Sequence, residues 1–127
     1  MALWHGKSKR KPSGGRLVQR RKKRRFEIGR EPIYTNVGQE SLRKYRTMGG
    51  NSKNRMFSAA YANVMDPKNN QITRVRIIRV LQNPADPNYV QRNIMNRGAT
   101  IQTDIGVARI TSRPGQDGTI NAVLVSE

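Results

Sequence analysis

Six consecutive cations, Arg20-Arg21-Lys22-Lys23-Arg24-Arg25, prevent the opening part of this chain from closing a core of its own. Like charges at that density repel one another, and too few apolar residues surround them to offset the entropy of ordering. Residues 1 to 25 hold eleven of the twenty-five Lys and Arg and no Asp or Glu, with Leu17 and Val18 the only aliphatic residues between Gly6 and Phe26. The segment reads as a polyanion-binding arm, disordered until a partner neutralises it. The charge then falls away. Met1 to Arg55 carries seventeen basic and three acidic residues, a net of +14, whereas Met56 to Glu127 carries eight and five, a net of +3.

Beyond the arm the pattern changes. From Leu42 onward, short segments rich in β-branched residues alternate with turn signals at roughly ten-residue spacing, which predicts an all-β barrel or sandwich. Leu42 to Met48 ends at Gly49-Gly50-Asn51, Met56 to Met65 ends at Asp66-Pro67, and Ile72 to Leu81 forms a third segment. In that third segment Val75 and Ile77 share one parity and Ile78 and Val80 break it, so either a bulge near Ile77-Ile78 or a strand covered on both faces is expected. Asp86-Pro87 is suited to open a short helix ending before Gly98, with Val90 and Ile94 one turn apart. Ala99 to Asp104, Val107 to Ser112 and Thr119 to Val125 predict a three-stranded meander, with Arg113 to Gly118 carrying two turn dipeptides. The expected organisation is a basic extension over residues 1–40 and one small β-barrel body over residues 41–127.

Few residues can do chemistry. His5 is the single histidine and sits in the arm, and the chain has no cysteine, so a general base, a thiolate metal site or a disulfide framework is not expected. Asp66, Asp86, Asp104 and Asp117 all fall in predicted turns, where a short carboxylate bonds nearby backbone N–H groups. Gly14-Gly15 and Gly49-Gly50 lack the spacing of a phosphate-binding loop and read as turns. No apolar run exceeds four residues, against roughly 18 for a bilayer span. The expectation is a soluble, cytoplasmic, non-enzymatic protein with no metal, cofactor, membrane or small-molecule substrate. A net charge of +17 instead calls for a strongly anionic partner, nucleic acid before an acidic membrane surface.

The candidate RNA-binding residues follow from that charge. They are Lys7, Lys9, Arg10, Lys11, Arg16, Arg20, Arg21, Lys22, Lys23, Arg24, Arg25 and Arg30 in the extension, with Lys53 and Arg55 beyond it. Guanidinium groups bind phosphate bidentately and lysines act as mobile point charges. Trp4 and His5 join the set because exposed rings stack on splayed bases of folded RNA. Phe26 and Ile28 are candidates for docking the arm on the body. A DNA-binding module would share the arm, and would differ by preferring duplex DNA.

Arg10-Lys11-Pro12-Ser13-Gly14-Gly15-Arg16-Leu17 and Lys22-Lys23-Arg24-Arg25-Phe26-Glu27-Ile28-Gly29-Arg30-Glu31-Pro32 closely resemble the N-terminal signature of the eight-e ribosomal protein family of archaeal and eukaryotic small subunits. The likeness extends through Gly49 to Lys53, Asn83 to Pro87, Arg92 to Ile94 and Thr111 to Gly118. Ser13, Phe26 and Ile28 stand where the family usually has Thr, Tyr and Leu. The chain lacks the internal insertion of eukaryotic members and resembles the archaeal ones. The resemblance implies a small β-barrel body, an extended basic N-terminal segment, and a place in the small ribosomal subunit beside its ribosomal RNA and neighbouring ribosomal proteins.

Overall fold

The structure, a computed structural model, describes residues 3–125. The chain divides into two compact units, Met1–Pro32 and Ile33–Glu127. In the first unit, β1 (Leu3–Trp4) pairs antiparallel with β2 (Ile28–Gly29). The second unit holds the remaining strands: β3 (Thr35–Val37), β4 (Ser41–Arg46), β5 (Ser52–Ala59), β6 (Tyr61–Asp66), β7 (Gln71–Gln82), β8 (Ile94–Met95), β9 (Thr100–Thr103), β10 (Gly106–Ile110) and β11 (Asn121–Leu124). Two single helical turns, α1 (Asn88–Gln91) and α2 (Pro114–Asp117), interrupt them.

Five strands close a barrel in the order β10-β11-β6-β7-β9. Every pair in it is antiparallel except β6 with β11, which run parallel. A barrel of five strands is narrow, and its lining solves the space problem by matching small with branched side chains across neighbouring strands. Ala108 stands opposite Ile101, Ala122 opposite both Val64 and Ile110, and Ala62 opposite Val75. All seven are buried. Thr103, the polar member of this interior, donates its hydroxyl to Gly106 O at 2.7 Å, which removes the cost of burying it.

Of the two readings of the third segment, the bulge is the one present. The register of β7 against β9 shifts between Ile77 and Arg79, so buried positions move from Val75 and Ile77 to Val80 while Ile78 turns outward. The three-stranded meander is present as β9-β10-β11.

Other expectations need correcting. Met56 to Met65 is two strands in two sheets: β5 belongs to a four-stranded sheet of order β4-β5-β3-β8, and β6 to the barrel. The bend is at Ala60, whose carbonyl accepts the Ile77 N–H at 2.9 Å, and the buried parity changes there from Ala59 to Ala62. The helix expected from Asp86-Pro87 lasts one turn, because Asn93 adopts φ +50° and because Ile94 and Met95, both buried, pair with β3 as a strand. Arg113 to Gly118 is one helical turn closed by Gly118 at φ +72°.

The boundary expected between residues 40 and 41 lies between β3 and β4, and β3 pairs with β5 and β8 inside the second unit. Thr35 of β3 is buried and donates to Met56 O at 2.7 Å.

Candidate nucleic-acid interface

Every candidate from Trp4 to Arg30 lies in the N-terminal unit, and there all the cations are exposed while Trp4 is half-buried. The unit has two local devices. One is a hairpin at Lys9 to Leu17. Lys11-Pro12-Ser13-Gly14 has Pro at the second position of a turn and Gly at the fourth, the order that a type I turn favours. Gly14 N–H donates to Lys11 O at 2.9 Å and Lys11 N–H to Gly15 O at 2.8 Å. Arg10 and Arg16 form a bridge below the turn, and Arg10 Nη1 donates to Gly14 O at 3.0 Å. Two arginines, with Lys9 and Lys11, are thereby presented on one short loop.

The second device is built on Glu27. A 3₁₀ turn at Arg25–Glu27 lets the Glu27 carboxylate accept the backbone N–H of Arg24 at 3.0 Å. Arg21 donates to the same carboxylate through Nη2 at 2.6 Å and Nη1 at 3.4 Å. His5 N–H donates to Glu27 O at 3.1 Å, extending the β1–β2 pairing by one residue. These hydrogen bonds hold the carboxyl of Glu27 below its ordinary range. The Arg24 N–H is the largest cause, desolvation opposes it, and Arg21 adds to the lowering. One carboxylate thus organises the densest cation run of the chain.

The aromatic rings are placed among these charges. Trp4 Nε1 donates to Lys7 O at 2.8 Å and its ring folds over Gly6, leaving no room for a Cβ there. Lys23 Nζ is 5.9 Å from the Trp4 ring and the Arg21 guanidinium 6.0 Å from the Phe26 ring, both at cation–π range. Phe26 is 70% exposed. A cleft of about 580 Å³ opens beside Trp4, lined by Gly6, Lys7, Leu17, Val18 and Gln19 with Arg20, Arg21 and Glu27.

Lys53 and Arg55 lie on β5 in the second unit. Lys53 Nζ donates to Gln116 Oε1 at 2.9 Å and Arg55 Nε to Gly115 O at 2.9 Å, so both also fix α2 alongside β5. Sequence reasoning passed over Arg43, Lys44 and Arg46 on the neighbouring β4. Their signal was available: the stretch from Ser41 to Met65 has no carboxylate. Three of the turn aspartates behave as their positions predict. Asp66 Oδ1 accepts Lys68 N–H, Asp86 Oδ1 accepts Asn88 N–H, and Asp117 Oδ2 accepts Arg113 N–H, at 2.8 to 3.0 Å.

The family described as Ribosomal protein S8e matches residues 4–125 of the chain. The small ribosomal subunit protein eS8 of Picrophilus torridus is 56% identical over 125 residues, a stretch that covers 98% of this chain and 100% of that protein. The similarity therefore spans the N-terminal unit as well as the barrel.

Proposed function

The chain belongs to the ribosomal protein S8e family, and from that premise we propose that it binds and compacts the RNA of the small ribosomal subunit through its cationic N-terminal unit. It is a ribosomal protein of the small subunit, with a cytoplasmic, ribosomal location, and its family is a structural one and not an enzyme family. The observation that carries the RNA reading is the exposure of twelve Lys and Arg between Leu3 and Pro32, against two carboxylates, Glu27 and Glu31. Fixed positive charge at that density lowers the repulsion where phosphates converge. Release of condensed counterions supplies affinity, and recognition of RNA shape and 2′-hydroxyls supplies preference. The stretch from Val18 to Arg24 has no strand or helix of its own and is tied down at Arg21 and Arg24 by Glu27, and the RNA fixes the rest of it. Neighbouring ribosomal proteins of the small subunit are the other partners.

Binding to folded small-subunit RNA and to random duplex DNA across a salt series tests this. The expected result is tight binding to the RNA and weaker, non-specific binding to DNA. The slope of log affinity against log salt should be about −0.7 to −0.9 per phosphate neutralised. Replacing Arg20 to Arg25 by Gln should flatten it. Equal affinity for duplex DNA, or a slope unchanged by those replacements, overturns the reading.

A further inference from the structure

We infer that the β4–β5 hairpin is a second RNA-binding element, a tongue whose two faces grip two different stretches of RNA backbone; this rests on the RNA-binding reading above. The pairing register places Arg43 opposite Arg55 and Tyr45 opposite Lys53 on one face, and Lys44 opposite Asn54 and Arg46 opposite Ser52 on the other. Like charges directly opposite one another across antiparallel strands destabilise the pair. The hairpin supplies no carboxylate of its own to relieve them, since five Lys and Arg and no Asp or Glu fall between Glu40 and Asp66. An anion seated between the Arg43 and Arg55 guanidinium groups turns that repulsion into attraction.

The groups are held ready for it. The Arg43 guanidinium lies 4.7 Å from the Phe57 ring centroid and that of Arg55 5.5 Å from the Tyr45 ring. Each guanidinium is thus held at cation–π range of a ring of the same hairpin, Arg55 while its Nε donates to Gly115 O. Residues two apart on a strand are roughly 7 Å apart, so Lys53 and Arg55 can engage separate phosphates. On the other face Lys44 and Arg46 border a recess of about 390 Å³ with Gly50, Asn51 and Ser52.

The hairpin also has the form of a probe. Its tip narrows through Gly49 and Gly50 at φ +74° and +75°, and is braced by Thr47 N–H to Asn51 O at 2.7 Å and Asn51 Nδ2 to Met48 O at 3.1 Å. Met48 stands there 79% exposed. β4 is the edge of its sheet, and a single lysine or a bulge would serve to protect such an edge from pairing. Cations on both faces, in a stretch of chain without carboxylates, match a polyanion on both sides.

The test uses the full chain. Arg43→Gln with Lys53→Gln removes two of the three cations of one face, and Lys44→Gln with Arg46→Gln removes both cations of the other. Each pair should make the salt slope on small-subunit RNA shallower by about 0.7 to 0.9 for every phosphate no longer neutralised, with the thermal midpoint near that of the parent for the Lys44 and Arg46 pair and slightly lowered for the other through loss of the Lys53–Gln116 bond. Independently, the chain has no cysteine. Met48→Cys therefore carries one tethered hydroxyl-radical source, which should cleave two separate RNA segments in the assembled subunit. Parent affinity and slope in both pairs, while replacing Arg20 to Arg25 abolishes binding, overturns the tongue and leaves the arm reading intact. Loss of subunit incorporation with an unchanged RNA slope also overturns it, in favour of a protein partner. If replacing Arg20 to Arg25 changes nothing, the arm reading fails instead, whatever the hairpin variants do.

Discussion

Arg21 grips Glu27 with both terminal nitrogens of its guanidinium, in the middle of the most basic stretch of the chain. The pair is local, six residues apart, and Glu27 also accepts the Arg24 N–H, so one side chain sets the geometry of the loop between them. Glu27→Gln keeps the shape and removes the charge. Amide exchange at His5 and Arg24 should accelerate, and the second unit should melt as before. The pH dependence has a fixed sign. The carboxyl sits below its ordinary value of 4.5, so its contribution is complete above that value and is lost as pH falls through the lowered one. Carbon-detected titration of Glu27 should show this midpoint, with arm amides loosening only below it.

Removing residues 1–32 should leave a folded β unit, whereas removing residues 1–40 should not leave one of equal stability. The longer deletion takes β3 and with it the buried Thr35 hydroxyl on Met56 O. Thr35→Val isolates that bond. It leaves the Met56 carbonyl without its donor and should cost about 1 to 3 kcal/mol in denaturant unfolding.

The barrel interior should resist change in both directions. Ile101 is fully buried opposite Ala108 and Val80, and Ile101→Ala should cost about 2 to 5 kcal/mol through the cavity it leaves. Ala108→Leu should cost about 1 to 3 kcal/mol for the opposite reason, since Ile101 and Leu124 flank it across both neighbouring strands. Urea midpoints for the two variants and their combination would show whether the volumes compensate.

Gly118→Ala and Gly14→Ala separate steric from backbone cost. Both glycines have positive φ, at +72° and +84°. A Cβ on Gly118 would lie 2.9 Å from Asn54 Cβ and 3.0 Å from Asn54 O, while one on Gly14 would meet nothing within 4 Å. Strain alone is about 1 to 3 kcal/mol. Gly118→Ala should exceed it and loosen α2 from β5. Gly14→Ala should leave the melting of the second unit unchanged.

Much of the barrel was legible because its strands obey a strict period of two, and where Ile77 and Ile78 break the period the break itself located the bulge. The meander was legible because Gly106 and the stretch from Arg113 to Gly118 punctuate it. Ala60 was not, since an alanine between two strands carries no turn chemistry. Strands of two and three residues, β8 and β3, are too short to show a period, and the parallel pairing of β6 with β11 joins segments far apart in sequence. In the candidate interface, the cation run of the arm is plain in the sequence. The cations of β4 were passed over because a few cations on a short exposed strand look like an ordinary solvated face. Glu27 as organiser depended on a 3₁₀ turn that no local pattern announces.

The parallel seam between β6 and β11 also sets an order of events. Synthesis proceeds from the N-terminus, so the arm is complete and available while most of the barrel is still unmade. Four of the five barrel strands can emerge and pair, yet β10 and β6 lack a shared neighbour until residues 121–124 arrive. The nascent protein thus passes through an interval in which its charged end is finished and its barrel is still an open sheet with two unsatisfied edges. An anionic partner that captures the arm during that interval does so before there is a closed body to deliver.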